Sequence, residues 1–257
     1  MTLKQAFGKR TLFAVNIDNW LIFKSLVKTV EKTNIPVIAQ VSEKEAEFWG
    51  IENFYQLVDF QKKRGLPLFL NLDHGQNLET IKKAVNLGFD MVHIDGSGLP
   101  WQANIKISRT VANLAHQKGI LVEAEPQKES SHPEKIKEFI QKTQVDLLAI
   151  FVGNKHGFDP KKDEKLDLYR LALIKEEADK TMLTLHGGSG VNLKDLKFAI
   201  NKKLINKINF NSKLRFVCRQ TWLKTLKTNK SLKFYELAKP VSQALDKEIG
   251  KSLKLTV

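Results

Sequence analysis

Eight short apolar runs recur along this 257-residue chain, each near strand length, with helix-length stretches between them. They cover residues 13–17, 36–41, 66–72, 91–94, 120–124, 147–152, 182–185 and 205–210. All are rich in Val, Ile, Leu or Phe and show little polar alternation, the pattern of parallel strands buried on both faces. The stretches between them carry helical spacing. Leu78, Ile81, Ala84, Val85 and Leu87 form one apolar stripe, and Ile105, Ile107, Val111, Leu114 and Ala115 form another. Gly88 and Gly119 stand where each stripe ends, a position that favours a left-handed residue. Parallel strands joined by helices build either an open doubly wound sheet or a closed (β/α)8 barrel. The count of eight and the even spacing favour the barrel, and no Gly-rich dinucleotide fingerprint follows the first run. The expectation is one α/β domain over residues 1–257, a (β/α)8 TIM barrel whose residues 216–255 add one or two helices to the last barrel helix.

Composition narrows the partners. At 42% hydrophobic and 27% charged residues, the chain has an ordinary globular balance with no repeat or low-complexity segment. Its single cysteine, Cys218, excludes an intramolecular disulfide and fits a reducing compartment. The first residues carry no long apolar stretch, and nothing later nears the roughly 20 apolar residues of a membrane span, so a cytoplasmic protein is expected. Forty-two Lys and Arg against 28 Asp and Glu leave a formal charge of +14, which draws anionic partners. Lysines such as Lys82, Lys106, Lys137, Lys161, Lys197 and Lys224 are scattered rather than massed, and no RNA-binding or zinc-finger signature occurs. Nucleic acid is therefore not the expected main partner; a phosphorylated small molecule is. The basic tail reads as a packing or dimer helix rather than a membrane-surface helix.

A barrel concentrates chemistry at the C-terminal ends of its strands. The residues at those ends are Asn16, then Gln40 and Ser42, Asp73 and His74, Asp95 and Ser97, Glu123 and Glu125, Asn154 and His156, His186, and finally Asn209 and Ser212. Burying a polar group without a partner costs about 2–7 kcal/mol, so this repetition implies a site. His74, His156 and His186 end strands three, six and seven; three imidazoles at one rim hold Zn²⁺ with an open coordination position. His93, His116 and His132 read as structural. The turn Gly187-Gly188-Ser189-Gly190 leads into a helix, and Asn209-Phe210-Asn211-Ser212 ends the neighbouring strand. Barrels often hold phosphate at these two loops, where backbone N–H groups meet a helix N-terminus.

Taken in order, Phe13-Ala14-Val15-Asn16, Gln40-Val41-Ser42-Glu43, Asn71-Leu72-Asp73-His74-Gly75, Ile94-Asp95-Gly96-Ser97, Val122-Glu123-Ala124-Glu125, Lys155-His156-Gly157, Leu185-His186-Gly187-Gly188-Ser189-Gly190, Lys207-Ile208-Asn209 and Phe234-Tyr235-Glu236-Leu237-Ala238-Lys239-Pro240 resemble the class II fructose-bisphosphate and tagatose-bisphosphate aldolases. The resemblance spans nearly the whole chain. It implies a Zn²⁺-dependent barrel, commonly a homodimer, that cleaves a ketose 1,6-bisphosphate to dihydroxyacetone phosphate and glyceraldehyde 3-phosphate in glycolysis. His74, His156 and His186 would hold the metal, with Asp95 and Glu125 near it at an alternative cation position. Asp73 would move the proton of the C4 hydroxyl, with Asn209 beside it among the catalytic residues. Ser42, Gly157, Gly187, Gly188, Ser189, Asn209, Phe210, Asn211 and Ser212 would bind substrate. Ser212 stands where the family usually has threonine, and either hydroxyl donates to phosphate.

The chemistry suits those residue types. Breaking the C3–C4 bond leaves negative charge on the three-carbon fragment, which a divalent cation stabilises as a Lewis acid. Lys207, inside strand eight, is the rival as a Schiff-base lysine, but the three rim histidines would then lack a purpose. The chain departs from the family after Glu125, where a glycine-rich acidic loop is replaced by Pro126-Gln127-Lys128-Glu129-Ser130-Ser131-His132-Pro133. That loop carries the family's glutamate for the C3 proton; here Glu129 is the carboxylate on the same loop. Gly98 replaces a usual histidine, and Glu43 a usual glycine. Two outcomes follow: an aldolase of fructose 1,6-bisphosphate or another phosphorylated ketose, or a relative that binds Zn²⁺ and a sugar phosphate without efficient turnover.

Overall fold

The chain is described by a computed structural model covering residues 1–127, 132–154 and 157–256. Eight parallel strands close into a barrel in sequence order: β1 Leu12–Asn16, β2 Val37–Ser42, β3 Leu68–Gly75, β4 Met91–Asp95, β5 Leu121–Glu125, β6 Leu147–Ile150, β7 Met182–Leu185 and β8 Lys207–Phe210. Every apolar run of the sequence overlaps a strand, and β1 pairs with β8 to complete the ring. The (β/α)8 barrel is therefore present as expected.

Helices cover the outside. After β1 comes α2 (Trp20–Thr33), and after β2 the pair α3 (Glu43–Trp49) and α4 (Ile51–Lys63). Then α5 (Leu78–Leu87), α6 (Trp101–His116), α7 (Pro133–Thr143), α8 (Leu168–Ala178), α9 (Leu193–Asn201) and α10 (Ser212–Thr228) follow β3 to β8 in turn. The Leu78–Leu87 helix begins where the Asn77 side chain accepts the Glu79 N–H, and stops at Gly88, whose φ of 88° is costly for a residue with a side chain. The tail supplies one further helix, α11 (Phe234–Leu253), which packs against α2 and α10. Among the described residues no helix is long and apolar enough to cross a membrane.

Strand residues divide by parity, as a period of two requires. Phe13, Val15, Val37, Val41, Leu70, Leu72, Val92, Ile94, Val122, Leu148, Leu185, Ile208 and Phe210 join the core between sheet and helices. The opposite parity faces the barrel axis. Its lowest layer is apolar: Leu12, Ile38, Phe69, Met91, Leu121 and Leu147 pack with Leu3, Ala6 and Phe7 of α1 (Leu3–Lys9). This short helix, closed by a Thr2–Gln5 capping box, plugs the N-terminal mouth of the barrel. Nothing in the sequence pattern announced it. Truncating the plug in the variant Phe7→Ala should cost about 3–5 kcal/mol, because the space it vacates lies between strands that cannot collapse. Removing the exposed Leu232 side chain should cost under about 0.5 kcal/mol. Urea denaturation of the two variants measures both; equal midpoints would deny α1 a structural role.

Candidate active site

Above the apolar plug the barrel interior turns polar. Gln40, Asn71, His93, Glu123, Thr184 and Lys207 form a middle layer, all fully buried. Asn16, Ser42, Asp73, Asp95, Glu125, His186 and Asn209 stand one step further toward the C-terminal mouth. Buried polar groups require partners, and most of these find them in one another.

Asp73 is the terminus of an amide chain. Asn71 Nδ2 donates to Gln40 Oε1 at 2.9 Å, and Gln40 Nε2 to Asn16 Oδ1 at 2.9 Å. Asn16 Nδ2 in turn donates to Asp73 Oδ2 at 3.0 Å, while Asn209 Nδ2 donates to the other oxygen at 3.1 Å. Burial opposes ionisation of this carboxyl. The charge on His74 and the Lys207 ammonium outweigh it and hold Asp73 well below the usual carboxylate range. Asp73 is thus a fixed, ionised carboxylate with both oxygens oriented.

His186 is oriented from behind. Its Nε2 lies 2.8 Å from Glu123 Oε1, and Lys207 Nζ donates to Glu123 Oε2 at 2.7 Å. An ionised carboxylate only accepts, so His186 carries its proton on Nε2 and turns the lone pair of Nδ1 toward the cavity side. Burial pushes the imidazole down to about 4, which keeps it neutral. Glu123 is held below the usual carboxylate range by Lys207 and the histidines despite its burial. Lys207 is committed to this ion pair at the barrel's centre, which argues against the Schiff-base alternative.

His74 reaches the mouth through an irregularity. Between Leu72 and Gly75, β3 spends three steps where β4 spends two, from Val92 to Ile94. The extra residue makes a bulge with His74 in the left-handed region at φ 50°. Its Nδ1 lies 3.0 Å from Asp95 Oδ2 and 3.7 Å from Glu125 Oε2. Burial lowers the His74 pKa, but Asp73, Asp95 and Glu125 overcome this and push it up to about 9. Burial pushes Glu125 up to about 7.

These residues fit a divalent cation. Asp73, His74, His93 and His186 each offer a ligand-type atom within 4.8 Å of the others, as do His74, Asp95 and Glu125. Glu125 Oε2 is buried with no hydrogen-bond partner, although one nitrogen each of His74, His93 and His186 stands 3.5–3.7 Å away. A carboxylate oxygen ringed by imidazoles just beyond hydrogen-bond reach suits an ion better than a hydrogen bond, and nitrogen with oxygen donors suits Zn²⁺. His156 lies outside the described residues, as does Glu129. Asn154, at the end of the described segment after β6, donates its Nδ2 to the His186 carbonyl at 3.1 Å.

A cavity of about 280 Å³ opens above the histidines, lined by Asn16, Ser42, Asp73, His74, Gly157, His186, Gly187, Ser189, Asn209, Asn211, Ser212 and Arg215. One wall is the Gly187–Ser189 turn and the start of α10, which has neither a side-chain cap nor an acidic residue in its first turn. Gly188 shapes that wall without lining it: its N–H is spent on the Asn209 carbonyl at 3.1 Å, and a Cβ there would lie 2.4 Å from Ile208 Cγ2. Strand parity turns the Phe210 ring outward, where it meets Phe13 edge-on at 5.8 Å, so its side chain packs in the core and does not line this cavity. The Ser42 hydroxyl lines the cavity but donates to Glu45 Oε2 at 3.0 Å.

Two residues escaped the sequence reading. Arg215 lies one helical turn beyond Ser212 and holds Glu45 while lining the cavity. His93, read as structural, lies at the centre, with ring centroids 4.8 Å from His74 and 5.1 Å from His186. His116, paired with Asp146 at 2.8 Å, and His132, just before α7, remain outside the site.

A closed parallel barrel with ionised and imidazole groups gathered at its C-terminal mouth has the layout of a barrel enzyme. The family profile "Fructose-bisphosphate aldolase class-II" matches residues 1–256. The chain is 32% identical over 223 residues to the fructose-bisphosphate aldolase of Giardia intestinalis, covering 78% of this chain and 68% of that one. It is also 32% identical over 205 residues to the fructose-bisphosphate aldolase of Staphylococcus aureus, covering 72% and 70%. In three dimensions it resembles the YdjI aldolase of Escherichia coli K12, with TM-score 0.83, 26% identity, and 98% and 93% of the two chains covered. The chain belongs to the class II fructose-bisphosphate aldolase family, and it is a lyase.

The buried Lys207–Glu123 pair gives a stability test. Lys207→Met strands a charge in the barrel and should cost about 3–5 kcal/mol, whereas Lys207→Met with Glu123→Leu should recover most of that loss. Urea denaturation of both reads the difference. A single variant as stable as the parent would show that the pair does not hold the centre.

Proposed function

We propose that the chain is a metal-dependent aldolase that reversibly cleaves a ketose 1,6-bisphosphate to dihydroxyacetone phosphate and glyceraldehyde 3-phosphate, with fructose 1,6-bisphosphate as its first substrate. The observation that carries this reading is the oriented, ionised Asp73 set directly beside His74 and His186 in one cavity. A site that only bound metal and sugar phosphate would have no use for a carboxylate held by two amides and kept ionised. That favours turnover over a silent relative.

His74, His186 and His156 are the proposed ligands of Zn²⁺, with Glu125 and Asp95 as oxygen donors at a neighbouring cation position. When bound, the cation supplies Lewis-acid stabilisation of the negative charge left on the three-carbon fragment. By accepting the proton of Nε2 in a hydrogen bond, Glu123 leaves Nδ1 of His186 as the unprotonated nitrogen for that task. Asp73 takes the proton of the C4 hydroxyl as the C3–C4 bond breaks, and the bonding electrons pass to C3. Asn16 and Asn209 hold its two oxygens during the transfer, and Asn209 completes the catalytic pair in that sense. The main-chain N–H groups of Gly187, Ser189 and the start of α10, with the Ser189 and Ser212 hydroxyls, form the proposed cradle for one phosphate, and Gly188 shapes the turn that presents them. Gly157 and Asn211 line the same side, and Arg215 supplies a cation at the wall. The remaining proton, that at C3, falls to the loop that bears Glu129.

Coupled assays on fructose 1,6-bisphosphate and tagatose 1,6-bisphosphate, with Zn²⁺ supplied and with a chelator, test the reading. Chelator-sensitive cleavage is expected, and Asp73→Asn should keep zinc yet lose about 10²–10⁴-fold in cleavage rate. No cleavage of either sugar by zinc-loaded protein would overturn the proposal, and an Asp73→Asn variant at the parent rate would remove Asp73 from the chemistry.

A further inference from the structure

The buried imidazole of His93 is the ionisable group at this centre whose work is still unassigned. It is fully buried, it shares a cluster of ligand-type atoms with His74 and His186, and its Nε2 has no hydrogen-bond partner. Those facts alone would make it a fourth metal ligand. The hydrogen bond at its other nitrogen argues otherwise. The main-chain N–H of His74 points at His93 Nδ1 from 3.0 Å. An amide N–H can only donate, so Nδ1 must accept, and the neutral ring then carries its proton on Nε2. Neither nitrogen keeps a lone pair for a cation.

The bond also sits where the fold needs one. The bulge in β3 takes the His74 amide out of the β3–β4 ladder, and a buried N–H without an acceptor costs about 1–3 kcal/mol. His93 lies on β4 between Val92 and Ile94, the two residues that face the bulge, and its side chain supplies the acceptor that the ladder cannot. On its far side, Nε2–H faces Glu125 Oε2 at 3.7 Å. One imidazole therefore spans a main chain that aims one ligand and the carboxylate of another.

We propose that His93 is a positioning residue of the metal centre: through Nδ1 it locks the left-handed turn at His74, and through Nε2–H it faces the Glu125 carboxylate, without touching the cation itself. This rests on the metal-dependent reading above, and the two can fail separately.

The experiment is nitrogen NMR on protein labelled with ¹⁵N-histidine, metal-free and zinc-loaded, with the His93 signals assigned by their loss in His93→Asn. Protonated Nε2 and unprotonated, hydrogen-bonded Nδ1 are expected in both samples. A proton on Nδ1, or an Nε2 that loses its proton on zinc addition, would overturn the proposal and make His93 a ligand. Zinc affinity by competition with a chromophoric chelator gives the second reading. His93→Leu should weaken zinc by about 10–100-fold, the usual loss when a group behind a ligand is removed. His93→Asn, whose Oδ1 can still accept the His74 N–H, should stay within about threefold of the parent. Parent-like zinc binding by His93→Leu, or a tenfold loss in His93→Asn, would each refute the role. If His93→Leu does not fold, the spectrum and His93→Asn decide. A parent protein that binds no zinc would refute the metal reading, while the metal-free spectrum would still decide the His93–His74 bond.

Discussion

The carboxylate of Glu123 is the constraint around which the barrel is organised. A charge at the axis of a parallel barrel has no water to return to, and it survives only where cationic or donating groups meet both of its oxygens. Lys207 meets one and His186 the other, so β5, β7 and β8 are held at the spacing these contacts need. The same contacts fix which nitrogen of His186 bears a proton. A requirement of stability and a requirement of the site are met by one side chain, and the apolar plug of α1 beneath keeps water away from it.

From that point the electrostatics of the mouth follow. Asp73, Asp95, Glu123 and Glu125 are four carboxylates around one lysine, and the interior carries more negative charge than its own cations balance. The metal-free protein relieves this in two places: His74 takes up a proton, its pKa pushed up to about 9, and Glu125 is drawn toward neutrality at about 7. A divalent cation would relieve both at once, displacing the proton from His74 and giving Glu125 Oε2 a partner. The acidic excess inside a chain of net charge +14 shows how little the overall balance says about a site.

Much of this was legible. Strand-length apolar runs with little polar alternation, spaced by helical stretches, read as strands covered on both sides, and a polar residue at the end of each marks the active mouth. Period two, carried further, would also have found the middle layer. Asp95 facing inward puts His93 inward one step below, as Glu125 does Glu123 and Asn209 does Lys207. The same rule turns Phe210 out to the helices. What parity could not supply was α1, seven residues long and marginal as an isolated helix, whose place depends on the floor it covers. Arg215 was hidden for a similar reason, since only the start of α10 at Ser212 sets which later helical residues share its face.

Parity also forbids the arrangement on which the proposed chemistry depends. In a regular strand, Asp73 and His74 would point to opposite faces, and the proposed proton acceptor could not be the sequence neighbour of a proposed metal ligand in the same cavity. The bulge removes that prohibition by inserting one residue and turning the chain left-handed at His74. A histidine tolerates that region better than a β-branched residue, at a modest cost in strain. Adjacency then gives rigidity: the two groups are separated by one peptide unit, and neither needs a long flexible side chain to reach the other. The strain at His74 is offset locally by the His93 ring that receives its amide, so the unusual backbone and the unusual buried imidazole are parts of one device.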